Sequence, residues 1–174
     1  TDGGATWSPQ TSGTTTGLQG VDFIDASTGW GVGFSGTILA TTDGGANWSA
    51  QTSGTTSFLL SVDFIDASTG WGVGQNGTIL GTTDGGATWS PQTSGTSSTL
   101  RAVDFVDAST GWGVGDGGTI LGTTDGGATW SPQTSGTTTG LVGVVAAPIP
   151  EPSRALLCLL GLGAVLVRRR RHYR

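Results

Sequence analysis

Apolar and polar residues alternate in short runs along most of the chain, and no helical period appears before residue 150. Residues 18–24 mix Leu18, Val21, Phe23 and Ile24 with polar positions and read as a strand. Asp25-Ala26-Ser27-Thr28-Gly29 follows as a turn, because an Asp at a turn start accepts backbone N–H groups two residues on. Trp30-Gly31-Val32 reads as a second short strand. A variable dipeptide before Gly comes next (Phe34-Ser35, Gln75-Asn76 or Asp116-Gly117), of the type that tolerates positive φ in a hairpin tip. Residues 37–42 are a third strand, rich in β-branched side chains. The Asp43-Gly44-Gly45 turn then leads to a fourth strand around Trp48.

The pattern repeats. Trp7, Trp48, Trp89 and Trp130 recur at a spacing of 41, as do Trp30, Trp71 and Trp112. Val21-Asp22-Phe23 returns at 62 and 103, and Gly36-Thr37-Ile38-Leu39 at 77 and 118. Three full units cover 2–42, 43–83 and 84–124, with a partial unit over 125–143. Four short strands per unit match one blade of a β-propeller, typically ~40–45 residues long. The fold class expected is therefore all-β, with propeller-type blades of four antiparallel strands. A blade buries its faces against its neighbours, and closed propellers have roughly 4–8 blades. Three units and a fragment make an incomplete propeller. The absence of a start Met and the opening inside a motif lead us to expect further blades before residue 1, an open arc of these units being the alternative.

Composition narrows the chemistry. Residues 1–149 hold eleven Asp and one cation, Arg101, a net charge of −10, and no Lys, His, Glu, Cys or Tyr. General acid–base work near neutral pH relies on those missing types, with Asp as the remaining option. Zinc sites need Cys or His. A nucleic-acid partner needs a basic footprint, which this charge opposes. No enzyme activity, cofactor or nucleic-acid partner is expected. Asp22, Asp25 and their copies leave two readings open: hard oxygen ligands for Ca²⁺, or turn caps beside Gly/Ser/Thr, the second being favoured by their position. Asn47-Trp48-Ser49 and Asn76-Gly77-Thr78 match the glycosylation pattern by chance. The units differ mainly at 15–20, 57–61, 98–102 and the hairpin tips, with Phe34 and Phe58 as exposed aromatics. These positions are the candidate contact surface, drift without function being the alternative.

Thr41-Thr42-Asp43-Gly44-Gly45-Ala46-Asn47-Trp48 resembles the Asp-box, or BNR repeat, and recurs at 82–89 and 123–130; the copy at 1–7 lacks its first Thr. The box residues are Asp2, Gly4 and Trp7; Asp43, Gly45 and Trp48; Asp84, Gly86 and Trp89; Asp125, Gly127 and Trp130. The resemblance implies a hairpin-stabilising role away from any active site. The longer pattern over 23–43, with Gly29-Trp30-Gly31-Val32-Gly33 and Gly36-Thr37-Ile38-Leu39, is similar to blades of the photosystem II assembly and stability factors, which are seven-bladed propellers. Those factors are thought to use an Arg-rich surface, and here only Arg101 stands in that region. Sialidases also carry Asp-boxes, but their Arg triad, Tyr and Glu have no counterparts in 1–149. An Asp-box glycosidase built on two Asp is the least favoured alternative.

The C-terminal part changes character. Residues 144–152 form a linker, 153–167 are expected to form a hydrophobic transmembrane or sorting helix, and 168–174 an Arg-rich cytoplasmic tail. The apolar run over 155–167 spans about 20 Å as a helix, short for a ~30 Å bilayer core. Four Arg after it stay on the cytoplasmic side. Pro150-Glu151-Pro152-Ser153, the apolar segment and Arg168, Arg169, Arg170 and Arg171 together resemble the PEP-CTERM sorting signal. That resemblance implies an exosortase-type processing enzyme as a partner and an inner-membrane anchor before processing. It further implies a cell-surface or extracellular address afterwards, with an extracellular polysaccharide or protein as ligand. Cys158, the sole cysteine, lies within the apolar segment.

Overall fold

A computed structural model describes residues 5–6, 8–146 and 156–160. Three four-stranded antiparallel sheets follow one another along the chain, each in simple sequence order. The first holds β1 (Leu18–Phe23), β2 (Gly29–Gly33), β3 (Ile38–Thr41) and β4 (Ser49–Gln51). The second holds β5 (Leu59–Phe64), β6 (Gly70–Gly74), β7 (Ile79–Thr82) and β8 (Ser90–Gln92). The third holds β9 (Leu100–Phe105), β10 (Gly111–Gly115), β11 (Ile120–Thr123) and β12 (Ser131–Gln133). β13 (Leu141–Ala146) starts a fourth unit and pairs with β14 (Leu156–Leu160). Each sheet straddles two sequence units, because the Asp-box lies between the third and fourth strands of a blade.

Local chemistry sets the turns. Asp25 Oδ1 accepts the Ser27 and Thr28 backbone N–H groups, both at 2.7 Å, and this closes the β1–β2 turn. The tips Phe34–Gly36, Gln75–Gly77 and Asp116–Gly118 are single 3₁₀ turns whose middle residues are left-handed: Ser35 at φ 54°, Asn76 at 57° and Gly117 at 66°. Positive φ at these tips is what the dipeptides foretold. Glycine at the start of β2, β6 and β10 has a steric reason: a Cβ at Gly70 would lie 2.5 Å from the Phe64 ring.

The core lies between sheets. Trp30, Val32 and Ile38 of blade one pack on Leu59, Val62, Phe64, Leu80 and Trp89 of blade two. Trp71, Val73 and Ile79 repeat this with Leu100, Val103, Phe105, Leu121 and Trp130. A smaller cluster joins Val114 and Ile120 to Leu141 and Val144 of β13. Each sheet therefore buries its faces only by stacking, as a propeller blade does.

The helix expected over 153–167 falls mostly outside the described residues. The five that are described, 156–160, form a strand instead, because β13 presents an edge with the same pairing pattern as the inner strands of the other blades. Among the described residues no helix is long and apolar enough to cross a membrane.

Candidate functional site: blade junctions and the turn face

Antiparallel order puts the β1–β2 and β3–β4 turns of each blade at one end, and the tips and blade connectors at the other. The first end is built on carboxylates. In the box, Thr41 Oγ1 donates to Asp43 Oδ1 at 2.9 Å and accepts the Gly45 N–H at 2.9 Å. The Asn47 backbone and side-chain amides donate to the two Asp43 oxygens at 2.9 and 2.7 Å. Thr88 and Thr129 do the same for Asp84 and Asp125, through backbone N–H and hydroxyl. The Thr88 and Thr129 hydroxyls and then their N–H groups hold Asp84 and Asp125 at about 2. Asn47 lowers Asp43 likewise. Asp25 also lies at about 2, held by the Ser27 N–H first and its hydroxyl second. The Ser68 and Ser109 hydroxyls lower Asp66 and Asp107. A carboxylate that accepts several donors favours its charged form.

Box residues also join blades, a role the sequence reading missed. The Gly85 carbonyl accepts the Trp30 indole N–H at 3.0 Å and the Gln51 amide at 2.9 Å, both from the preceding blade. Gln51 Oε1 in turn accepts the Trp89 N–H at 3.2 Å. Trp71, Gln92, Gly126 and Trp130 repeat the set at 3.0–3.1 Å. The aromatic rings follow the same plan. Trp30 stacks on Phe64 with centroids 3.5 Å apart, and Trp89 meets the same Phe64 edge-on at 5.8 Å. Trp71, Phe105 and Trp130 form the second such triplet.

Asp22 reaches across to the next blade. Its Oδ2 accepts the Phe64 backbone N–H at 2.9 Å, Asp63 accepts that of Phe105 at 2.8 Å, and Asp104 that of Ala146 at 2.6 Å. Asp25, Asp66 and Asp107 do cap their β-strand turns. The signal for these junctions was present: Gln10, Gln51, Gln92 and Gln133 recur with the repeat. Among the described residues no group of three or more His, Cys, Asp or Glu converges on a cation position.

The other end carries the differences between blades. Phe34 and Phe58 meet at 4.6 Å with a tilt of 38°, and Phe34 remains 36% exposed. Arg101 on β9 is paired through Nε and Nη2 to both Asp116 oxygens. A polar recess of 620 Å³ nearby is lined by Gly, Gln, Ser and Thr residues between 117 and 138. Asp2, Gly4 and Trp7 lie outside the described residues, as do Pro150, Glu151, Pro152, Ser153 and Arg168–Arg171.

Stacked sheets, boxed turns and the shared junction define an array of BNR-type β-propeller blades. The model of the photosynthesis system II assembly factor YCF48 matches residues 48–131. Among solved structures, YCF48 bound to D1 peptide is similar at 28% identity and a TM-score of 0.67, covering 78% of this chain and 45% of that one. YCF48 from Cyanidioschyzon merolae is similar at 24% identity and a TM-score of 0.62, covering 76% of this chain and 48% of that one. The GH74 enzyme of Niastella koreensis shares the fold at 21% identity and a TM-score of 0.62, over 75% of this chain and 24% of its own. This chain spans about half the length of the YCF48 structures. No curated protein matches the chain.

Proposed function

We propose that this protein is a non-enzymatic binding scaffold, exported and sorted through its C-terminal signal, whose tip face contacts an extracellular polysaccharide or protein. One observation carries the reading. All ten described Asp of the array are engaged in holding turns, blade junctions or the Arg101 ion pair. Carboxylates engaged in this way serve the scaffold rather than acid–base chemistry. Variation between blades is concentrated at the opposite end, where Phe34, Phe58, Leu60 and Arg101 are offered on otherwise equal positions. A surface that differs while its scaffold repeats is the place for recognition.

The test is intact mass of the full-length protein, expressed with and without an exosortase. Loss of the segment after the Pro150-Glu151-Pro152 region, only with the enzyme, supports sorting to the outside. An uncut protein that stays in the inner membrane overturns it.

A second reading, a photosystem II assembly-type scaffold, is favoured by the match over 48–131 and by the similarity to YCF48 bound to D1 peptide. Its partner would then be a peptide, as the D1 peptide is for that YCF48, read by the tip face. Pull-down of such peptides by the array distinguishes this reading from polysaccharide binding.

A further inference from the structure

The fourth unit repeats the pairing of the others with a different second strand. In blade two, Leu59, Ser61, Val62, Asp63 and Phe64 lie opposite Gly74, Val73, Gly72, Trp71 and Gly70, with an irregularity between Leu59 and Ser61. Two repeat steps further on, the equivalent residues are Leu141, Gly143, Val144, Val145 and Ala146. These lie opposite Leu160, Leu159, Cys158, Leu157 and Leu156, with the irregularity at the same place. β14 thus stands where the Gly-Trp-Gly-Val-Gly strand stands in blades one to three.

The replacement has a steric logic. In blade two the Phe64 ring leaves no room for a Cβ on the residue opposite, Gly70. The equivalent of Phe64 is Ala146, which carries no ring, so a strand without glycine fits beside β13.

β14 lies inside the apolar run over 155–167 that carries the sorting resemblance. In water such a run has to be covered, and β13 offers backbone partners for it. In a bilayer a single spanning segment satisfies its backbone internally as a helix, so it leaves any strand partner. The two seats exclude each other. We propose that the array holds its own C-terminal apolar segment as the second strand of a fourth blade, and that this seat competes with insertion into a membrane. The proposal rests on the sorting-signal reading for the membrane seat only.

The native Cys158 makes the pairing measurable, since its register partner is Val144. Directly opposed strand residues lie at Cα separations of about 4.5–5.5 Å, within the range a disulfide spans. Val144→Cys in the full chain, treated with diamide, is expected to form an intramolecular disulfide, read by mass and by non-reducing mobility. Val142→Cys is the control and is expected to cross-link several-fold less. Vesicles of phosphatidylethanolamine and phosphatidylglycerol are expected to lower the Val144→Cys yield several-fold. Hydrogen exchange over 141–146 in the unsubstituted chain gives a second reading, with protection in water that is lost on the vesicles. Equal cross-linking of the two variants, or a yield and protection that vesicles leave unchanged, overturns the proposal. Neither readout involves processing, so its failure is separate from that of the sorting experiment.

Discussion

The Asp63 carboxylate lies 2.8 Å from the backbone nitrogen of Phe105, an innermost-strand residue of the next blade. Asp63 is 2% exposed, so the bond forms away from water and fixes the height at which one sheet sits against the next. An N–H left buried without an acceptor costs ~1–3 kcal/mol. Asp63→Ala should therefore lower the stability of the array by about that amount, measured by urea denaturation with Trp fluorescence. Asp63→Asn keeps an acceptor oxygen and should lose less. Equal stability of Asp63→Ala and the parent would show that the bond carries no net weight.

Gln92 supplies the second test of the junction, with an internal control. Its amide donates to the Gly126 carbonyl at 3.1 Å, and its oxygen accepts the Trp130 N–H at 3.1 Å. Gln133 holds the same repeat position but is exposed and makes no such bond among the described residues. Gln92→Ala should cost ~1–3 kcal/mol, while Gln133→Ala should stay within ~0.5 kcal/mol of the parent. A similar loss in both would point to strand propensity rather than to the bridge.

The pH response follows from the carboxylates that hold the turns. Asp25, Asp84 and Asp125 sit at about 2 in the folded chain, below the ordinary value of 3.8. Between those values the unfolded chain binds more protons, so falling pH favours unfolding. Their contribution is fully present above pH ~4 and is lost as pH falls from there towards 2. Urea midpoints should be flat from pH 7 to 5 and decline below about 4. The triple variant Asp25→Asn, Asp84→Asn, Asp125→Asn should show a shallower decline. An unchanged slope would remove these groups from the account.

Much of the fold was legible because the same local chemistry is written three times over. The order of four strands, the Asp25 turn and the positive φ at the tips follow from residue types within a few positions of each other. The junctions were less legible, since Asp22 beside a turn looks like a cap until the next blade brings the Phe64 N–H to it. Gln51 shows the same limit: alone it is a polar strand residue, and only Gly85 and Trp89 of the following blade give it a task. Apolar periodicity also failed to choose between helix and strand for 156–160, because the deciding partner is β13 rather than the segment itself.

The tips allow a reciprocal exchange. Ser35 and Asn76 occupy the same place in successive blades, at φ 54° and 57°, and both precede a left-handed Gly. The left-handed region costs an L-residue ~1–2 kcal/mol, and Asn bears this better than Ser because its short polar side chain bonds locally. Ser35→Asn should stabilise blade one by roughly 0.5 kcal/mol, a fraction of that penalty. Asn76→Ser should destabilise blade two by a similar amount, and the double exchange should return near the parent value because the two tips belong to different blades and share no hydrogen bond among the described residues. Denaturation midpoints of the three variants check this. Changes of the same sign in both single variants would mean that side-chain packing, not backbone conformation, sets the preference at the tip.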